Sequence, residues 1–276
     1  MTTEYSGGGD PKRSLEILWG VRERPRRGPK PKLTVAEIVR TAIAVADADG
    51  LDALSMRRVA DELGVAPMSI YTYVPGKAEL IDVMFDRALG ELTAPDGVPG
   101  GWRPKLEHLA RDNWDLYHRH PWLLHVSAVR PPLGPAVSAK YEFELRAVDG
   151  IGLTDVEMDS VVALVTGFAA SSASVSVNAA EAERRSGMSD EQWWEAVAPF
   201  LEEHIDEAEY PLAGRVGAAA GQEYRGAVGP RHAFEFGLAR ILDGIEVLIA
   251  SRRRPDGTRA PGDGPGAPGP GGARGG

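Results

Sequence analysis

The chain has 276 residues, of which 43% are apolar and 26% are charged, and this composition is typical of a folded, soluble protein. Cysteine is absent, which excludes disulfides, iron–sulfur clusters, thiolate zinc sites and a cysteine nucleophile. No apolar run approaches the roughly 18 residues of a membrane span, and the N-terminus lacks the apolar segment of a secretory signal. These features predict a cytoplasmic protein that does not bind membranes.

The net charge of −9 is distributed unevenly along the chain. An N-terminal extension, residues 1–20, carries a short amphipathic helical patch at 12–20. A basic arm follows at residues 21–33, in which six basic side chains accompany one glutamate. Three prolines keep this arm from being helical, because proline has no N–H to donate. Such an arm is typical either of a solvated linker or of a segment that binds a polyanion.

Residues 34–92 predict four short helices in succession. Thr34 and Glu37 form a T-x-x-E capping box that begins the first helix. Ser55 is a favourable N-cap for the second helix, MRRVADEL, and Gly64 ends that helix as a left-handed cap. The tight turn after this glycine leads directly into the third helix.

The third predicted helix, PMSIYTYV at 67–74, is barely two turns long. Pro67 suits its first position, and Ile70 and Val74 lie four residues apart, so that they can anchor one face in the core. The other side chains include no acid and point mostly outward: Pro67, Met68, Ser69, Tyr71, Thr72 and Tyr73. Residues 55–74 therefore predict a helix-turn-helix whose free face suits phosphate hydrogen bonds and thymine-methyl contacts.

The segments that follow are also periodic at helical spacing, and we predict an all-α fold. A capping box at Thr154 and Glu157 begins one long helix, and residues 231–252 form another. We assign residues 93–254 to a larger helical domain. The last 22 residues, 255–276, contain nine glycines and five prolines and predict a disordered tail.

At residues 50–89 the chain resembles the TetR family of bacterial transcriptional regulators. The resemblance is carried by GLDALSMRRVADELGVAPMSIYTYVPGKAELIDVMFDRAL, preceded by the helix from Thr34. The L-G-V turn, the short helix ending in Y-x-Y-V and the following G-K-x-E-L are specific to that family. Residues 120–135, HPWLLHVSAVRPPLGP, are similar in a more diffuse way to the C-terminal domain of its tetracycline-repressor subgroup. The resemblance implies a three-helix DNA-binding domain followed by a helical bundle for ligand binding and dimerisation.

The resemblance also implies roles for single residues. Tyr71 and Lys77, at the start of the fourth helix, match positions that contact the phosphate backbone, and Ser55 can donate to phosphate. Arg57 matches a position that reaches a guanine edge. The groove is read from Pro67, Met68, Ser69 and Thr72. Thr72 is smaller than the residues common there, which leaves the preferred bases open. By analogy with other N-terminal arms, the basic arm enters the minor groove through Arg26, Arg27, Lys30 and Lys32.

Specific binding by so small a module predicts a homodimer, because two modules at two half-sites combine their contacts. The helix at 231–252 offers an apolar stripe with four–three spacing, and its glycines permit close helix approach. The candidate interface residues are Phe234, Gly237, Leu238, Ile241, Gly244, Ile245 and Leu248. The resemblance implies a four-helix interface made by two helices of each subunit. A monomer that buries both helices internally is the alternative.

The resemblance implies that a small-molecule effector binds inside the bundle and shifts it between two spacings of the DNA-reading helices. The candidate pocket residues are Trp114, Tyr117, His118, His125, Phe168 and Asn178. A core or capping role is the alternative for each histidine. We predict no metal and no required cofactor, because His118 and His120 fall on different faces of a helix.

An enzyme is the main rival class, and we predict that the protein is not one. The sequence contains no G-x-S-x-G, P-loop, dinucleotide fingerprint or H-E-x-x-H motif. The expected function is a homodimeric repressor that binds operator DNA and is released by a small-molecule ligand. An activator of the same family, and a helix-turn-helix module that binds protein without DNA affinity, are the alternatives.

Overall fold

The computed structural model describes residues 4–21, 33–127, 129–205 and 208–253. Its α-helices are α1 (Pro11–Leu18), α2 (Val35–Asp49), α3 (Met56–Leu63), α4 (Pro67–Tyr71), α5 (Lys77–Leu89), α6 (Trp102–Arg119), α7 (Pro135–Arg146), α8 (Asp155–Ser186), α9 (Asp190–His204), α10 (Pro211–Tyr224) and α11 (Pro230–Arg253). Two-residue strands, β1 (Glu4–Tyr5) and β2 (Val126–Ser127), and 3-10 turns at Pro95–Gly97 and Pro121–His125 complete the described elements. The prediction of an all-α fold is confirmed. The predicted tail at 255–276 and the four arm residues Arg26, Arg27, Lys30 and Lys32 lie outside the described residues.

The helix ends predicted from local sequence signals are present. Thr34 Oγ1 accepts the Glu37 N–H at 3.2 Å, and the Glu37 carboxylate accepts the Thr34 N–H at 2.9 Å. Ser55 Oγ accepts the Arg58 N–H at 3.1 Å and caps α3. Gly64 ends α3 with φ of 65°, a left-handed conformation that glycine adopts without steric cost. The turn from α3 into α4 therefore follows from the sequence itself.

The buried apolar side chains form two clusters. The first joins α2–α5 and continues into residues 116–126, through Leu116, Trp122 and Val126. The second joins α6, α7, α8 and α11, and its centre includes Phe234, which is completely buried. The N-terminal helices are consequently packed against the segment that follows α6, rather than attached through a free linker.

The long helix α8 differs from one sequence-based expectation. By length and composition alone it could cross a membrane, since an 18-residue window within Asp155–Ser186 has a mean hydropathy of 1.6. We predicted no membrane span, because no apolar run in the sequence approaches about 18 residues. One face of the helix packs against α6 and α11, as expected of a core helix.

The N-terminal extension is folded onto the rest of the protein. Strand β1 pairs in parallel with β2, with Glu4 opposite Val126. Helix α1 packs on α5 and buries Ser14 and Ile17. The sequence pattern placed apolar residues at Leu15, Leu18 and Trp19, but Leu15 and Trp19 are exposed. The amphipathic patch predicted at 12–20 therefore corresponds to α1, and its buried face contains Ser14 as well as Ile17.

Candidate nucleic-acid interface and effector site

One face of the short helix α4 is anchored in the first apolar cluster. Ile70 and Val74 are both completely buried in the first cluster, as their spacing predicts. The α-helix proper ends at Tyr71, earlier than predicted, and the chain continues through a turn in which the Val74 N–H bonds to the Ile70 carbonyl at 2.9 Å. Tyr73 is partly buried against the same cluster instead of facing outward.

The free face of α4 is exposed to solvent. Met68 is 74% exposed and Tyr71 is 43% exposed, although large apolar side chains are usually covered. Pro67, Ser69 and Thr72 are also exposed, and no acidic side chain belongs to this helix. An anchored helix with a free, acid-free face rich in aromatic and hydroxyl groups can enter the major groove of DNA.

The side chains of the two arginines of α3 differ in how strongly neighbouring acidic residues fix them. Arg58 is fixed by Asp49 at 3.3 Å and by Glu62 at 2.9 Å. The Arg57 side chain is 85% exposed, and its contact with Asp61 is 3.9 Å long. Arg57 is therefore the arginine that can reach out from α3, in agreement with the role that the resemblance implies.

Lys77 is the first residue of α5 and lies close to the turn before α3. Its ammonium donates to the Leu51 carbonyl at 3.2 Å, and it also pairs with Glu4 Oε1 at 2.8 Å. Sequence reasoning missed this second partner, because Glu4 lies 73 positions earlier in a segment to which no role was assigned.

The six predicted pocket residues do not converge on one site. Trp114 is buried and stacks on Phe234, with ring centroids 4.4 Å apart, and Phe168 stacks on the other side of this pair. His118 bonds to the Trp114 carbonyl at 2.8 Å and to Ser176 Oγ at 2.9 Å. Together with Tyr117, these residues lie on the C-terminal helices, some in the interior and some at the surface.

The other two, His125 and Asn178, line a separate cavity of about 420 Å³. This cavity lies between the turn that follows α2 and the C-terminal helix α8. Beside it, Asp47 accepts from Trp122 Nε1 at 2.8 Å and is bonded to His120 Nδ1 at 2.7 Å. The cavity and this network both span the junction between the N-terminal and C-terminal helices.

The C-terminal core contains polar groups that the sequence did not single out. Asn113 is 1% exposed and donates from Nδ2 to the Leu109 carbonyl at 2.8 Å, but its Oδ1 has no partner among the described residues. Glu144 is 2% exposed and paired with Lys140, and burial raises its pKa. Burial and the charge of Glu144 raise the pKa of Tyr117 to about 12. A buried acceptor without a partner and a buried carboxylate can each recognise hydrogen-bond donors on a bound molecule.

Asn113→Leu is expected to raise the free energy of unfolding by about 1 kcal/mol, because leucine of similar volume removes a buried, half-satisfied amide. Urea denaturation measures the change. Asn178→Leu is the matched control, since Asn178 is exposed on α8 and should give no gain. A loss of stability in Asn113→Leu would mean that the Asn113 amide is fully satisfied in solution.

Comparisons with known proteins agree with this geometry. Residues 38–84 match the model of the tetR family of bacterial regulatory proteins, and residues 94–249 match that of the tetracyclin repressor-like C-terminal domain. The chain is 46% identical over 254 residues to the HTH-type transcriptional repressor DrrR1 of Streptomyces coeruleorubidus. The aligned region covers 91% of this chain and 92% of that protein. The chain belongs to the TetR family.

Solved structures of TetR-family proteins have the same fold. Apo ActR from Streptomyces coelicolor superposes with a TM-score of 0.65 at 27% identity, over 81% of this chain and 99% of that one. ActR in complex with actinorhodin gives a TM-score of 0.65 at 27% identity, over 80% and 98% of the two chains. The protein is accordingly a DNA-binding transcriptional regulator and not an enzyme, as predicted.

Proposed function

We propose that the protein is a homodimeric repressor that binds operator DNA through α4 and is released by a small molecule. The observation that carries this proposal is the free face of α4, which is exposed and acid-free while Ile70 and Val74 are completely buried behind it. In this assignment α2–α5 (residues 34–92) form the DNA-binding domain and residues 93–254 the effector and dimerisation domain. The 46% identical relative is named a repressor, which favours repression over activation.

On DNA, we assign Tyr71 and Lys77 to the phosphate backbone and Arg57 to a base edge. Ser69 and Thr72 lie beside Met68 and Pro67 on the exposed face and read the groove. Ser55 contributes a phosphate hydrogen bond from the N-terminus of α3, where its hydroxyl can still donate while its oxygen caps the helix. Arg26, Arg27, Lys30 and Lys32 contact the minor groove in this proposal.

The dimer forms through α8 and α11. Ile241, Gly244 and Leu248 line an apolar groove of about 390 Å³, together with Leu164. Leu164 is 51% exposed in the single subunit, and such an apolar surface is normally covered by a partner. Residues of α8 and α11 from a second copy fit this groove, because a twofold interface is self-complementary.

Four of the seven residues that we predicted at the interface pack largely inside the subunit, and one of these, Ile245, also lines the groove. Phe234, Leu238 and Ile245 are at most 4% exposed. Gly237 allows α11 to approach α8, since a Cβ at this position would clash with the Phe168 ring. In this proposal these residues pack behind the interface. Ile241, Gly244 and Leu248 make the direct contacts with the partner subunit.

We place the effector among the C-terminal helices, where Asn113 Oδ1 and Glu144 are the buried polar groups and where Trp114, Tyr117 and Phe168 belong to the second apolar cluster. The complex of ActR with actinorhodin supports a small-molecule effector for this chain. The network of Asp47, His120 and Trp122 then provides a direct connection from the end of α6 to α2. A ligand that moves the end of α6 would move the DNA-binding helices with it.

Selection of bound fragments from a random duplex library tests the proposal. We expect enrichment of an inverted repeat whose half-sites are about one helical turn or more apart. A protein-free small-molecule extract of the producing cells is expected to dissociate the selected complex. Failure to enrich any sequence would contradict operator binding. Enrichment together with dependence of transcription on the bound protein would instead identify an activator.

A further inference from the structure

The N-terminal strap, which we define as residues 4–20, is fixed to α5 by a buried carboxylate. Asp82 of α5 is 1% exposed and accepts hydrogen bonds from Ser6 Oγ at 2.9 Å, Gly7 N–H at 2.9 Å and Ser14 Oγ at 2.7 Å. A buried carboxylate is tolerated when several donors satisfy it. The strap supplies all three of these donors, so its position on α5 is specific.

The same strap is tied to the C-terminal segment that follows α6. Strand β1 pairs with Val126–Ser127, and the Ser6 N–H donates to the Ser127 carbonyl at 3.1 Å. At the other end of the strap, Trp19 Nε1 donates to the Leu133 carbonyl at 2.9 Å. The strap therefore bridges α5 and the C-terminal segment.

Glu4, the first described residue of the strap, forms an ion pair with the ammonium group of Lys77, to which we assign a phosphate contact. Glu4 Oε1 lies 2.8 Å from Lys77 Nζ, and each of the two side chains is 33% exposed. Within the described residues, the Leu51 carbonyl is the other partner of Lys77. A carboxylate and a phosphate oxygen are alternative anions for the same lysine, because both accept its N–H groups and neutralise its charge.

We propose that the strap is an autoinhibitory element in which Glu4 competes with the DNA backbone for Lys77. This inference rests on the proposed phosphate contact of Lys77. Since β1 is paired with β2, the position of Glu4 depends on that of the C-terminal segment. A conformation that brings β2 away from α5 withdraws Glu4 and frees Lys77 for DNA, and the opposite conformation restores the block.

Glu4→Gln in the full chain tests the competition. Binding to one mixed-sequence duplex, long enough for two half-sites, is measured at several salt concentrations. We expect about threefold tighter binding per half-site, and therefore roughly tenfold for a dimer, with the largest gain at low salt. Asp10→Asn is the control, because it removes one negative charge from the same strap, the Asp10 carboxylate pairs with Arg13 rather than with Lys77, and asparagine also caps helix N-termini well.

The same substitution is then made in a Lys77→Met background. Competition requires that Glu4→Gln has no effect there, and an equal gain in both backgrounds would overturn the inference in favour of diffuse repulsion. If Lys77→Met weakens binding while Glu4→Gln changes nothing, the phosphate contact stands and the autoinhibition is refuted. If Lys77→Met leaves binding unchanged even in the Glu4→Gln background, where Lys77 is free of Glu4, the assigned phosphate contact fails and the inference fails with it.

Discussion

Replacing Tyr71 and Lys77 together with alanine is expected to weaken binding to every DNA sequence by roughly a hundredfold to a thousandfold. Each side chain supplies one proposed phosphate contact per half-site, so a dimer loses four, each contributing about 1 kcal/mol. Phosphate contacts carry no sequence information, and the loss should therefore be similar for operator and non-operator DNA. Fluorescence anisotropy with both kinds of duplex measures it.

The salt dependence separates this effect from a loss of folding. Removing one lysine per half-site should make the slope of log K against log salt less steep by about two for a dimer. Lys105→Ala is the control, because it removes one lysine from α6 and should leave affinity unchanged. Ser69 and Thr72 variants should alter the preferred sequence instead. Full operator affinity in the Tyr71 and Lys77 double variant would place the reading helix elsewhere.

The helix-turn-helix that carries the proposed DNA-reading surface could be predicted from the sequence because its determinants are local. The capping pair at Thr34 and Glu37, the left-handed turn at Gly64 and the four-residue spacing of Ile70 and Val74 each act within a few residues. Such signals fix where a helix begins, where it ends and which face is buried. The bounds of α3 and the exposed face of α4 follow from them, whereas the end of α4 at Tyr71, earlier than predicted, does not.

The strap could not be predicted in the same way. Asp82 is bonded to Ser6 across 76 positions, and nothing in either local sequence indicates the other. An acid on α5 has the pattern of a solvated helix face, and only tertiary packing shows that Asp82 is buried. The buried face of α1 could not be predicted for the same reason, because Ser14 turns inward to bond to Asp82.

The proposed effector site shows a further limit of sequence periodicity as a predictor of burial. Asn113 lies on α6 one position before Trp114, and both are buried. A polar residue at such a position is assigned to the surface unless the helix is known to be covered on both sides. Here α6 packs against α8 and α11, Asn113 is 1% exposed, and its side-chain Oδ1 becomes a candidate ligand contact that only the packed structure indicates.

Leu164→Glu is expected to separate the proposed dimer and to reduce operator affinity by roughly a hundredfold or more. The charge falls within the apolar groove that also contains Ile241 and Leu248, where a partner subunit would have to desolvate it. Because Leu164 is 51% exposed in the single subunit, the fold should tolerate the change. Ile245 is unsuitable for this test, since it is 4% exposed and a charge there would disrupt the subunit itself.

Two measurements make this prediction specific. Sedimentation equilibrium should show a shift from dimer to monomer in Leu164→Glu, while Val129→Glu, at a site 89% exposed outside the groove, should remain dimeric. Affinity for a single half-site should change little, because each reading helix is intact, whereas the gain from joining two half-sites should be lost. If the variant stays dimeric, the α8–α11 groove is not part of the interface. Another surface of the chain must then join the two subunits.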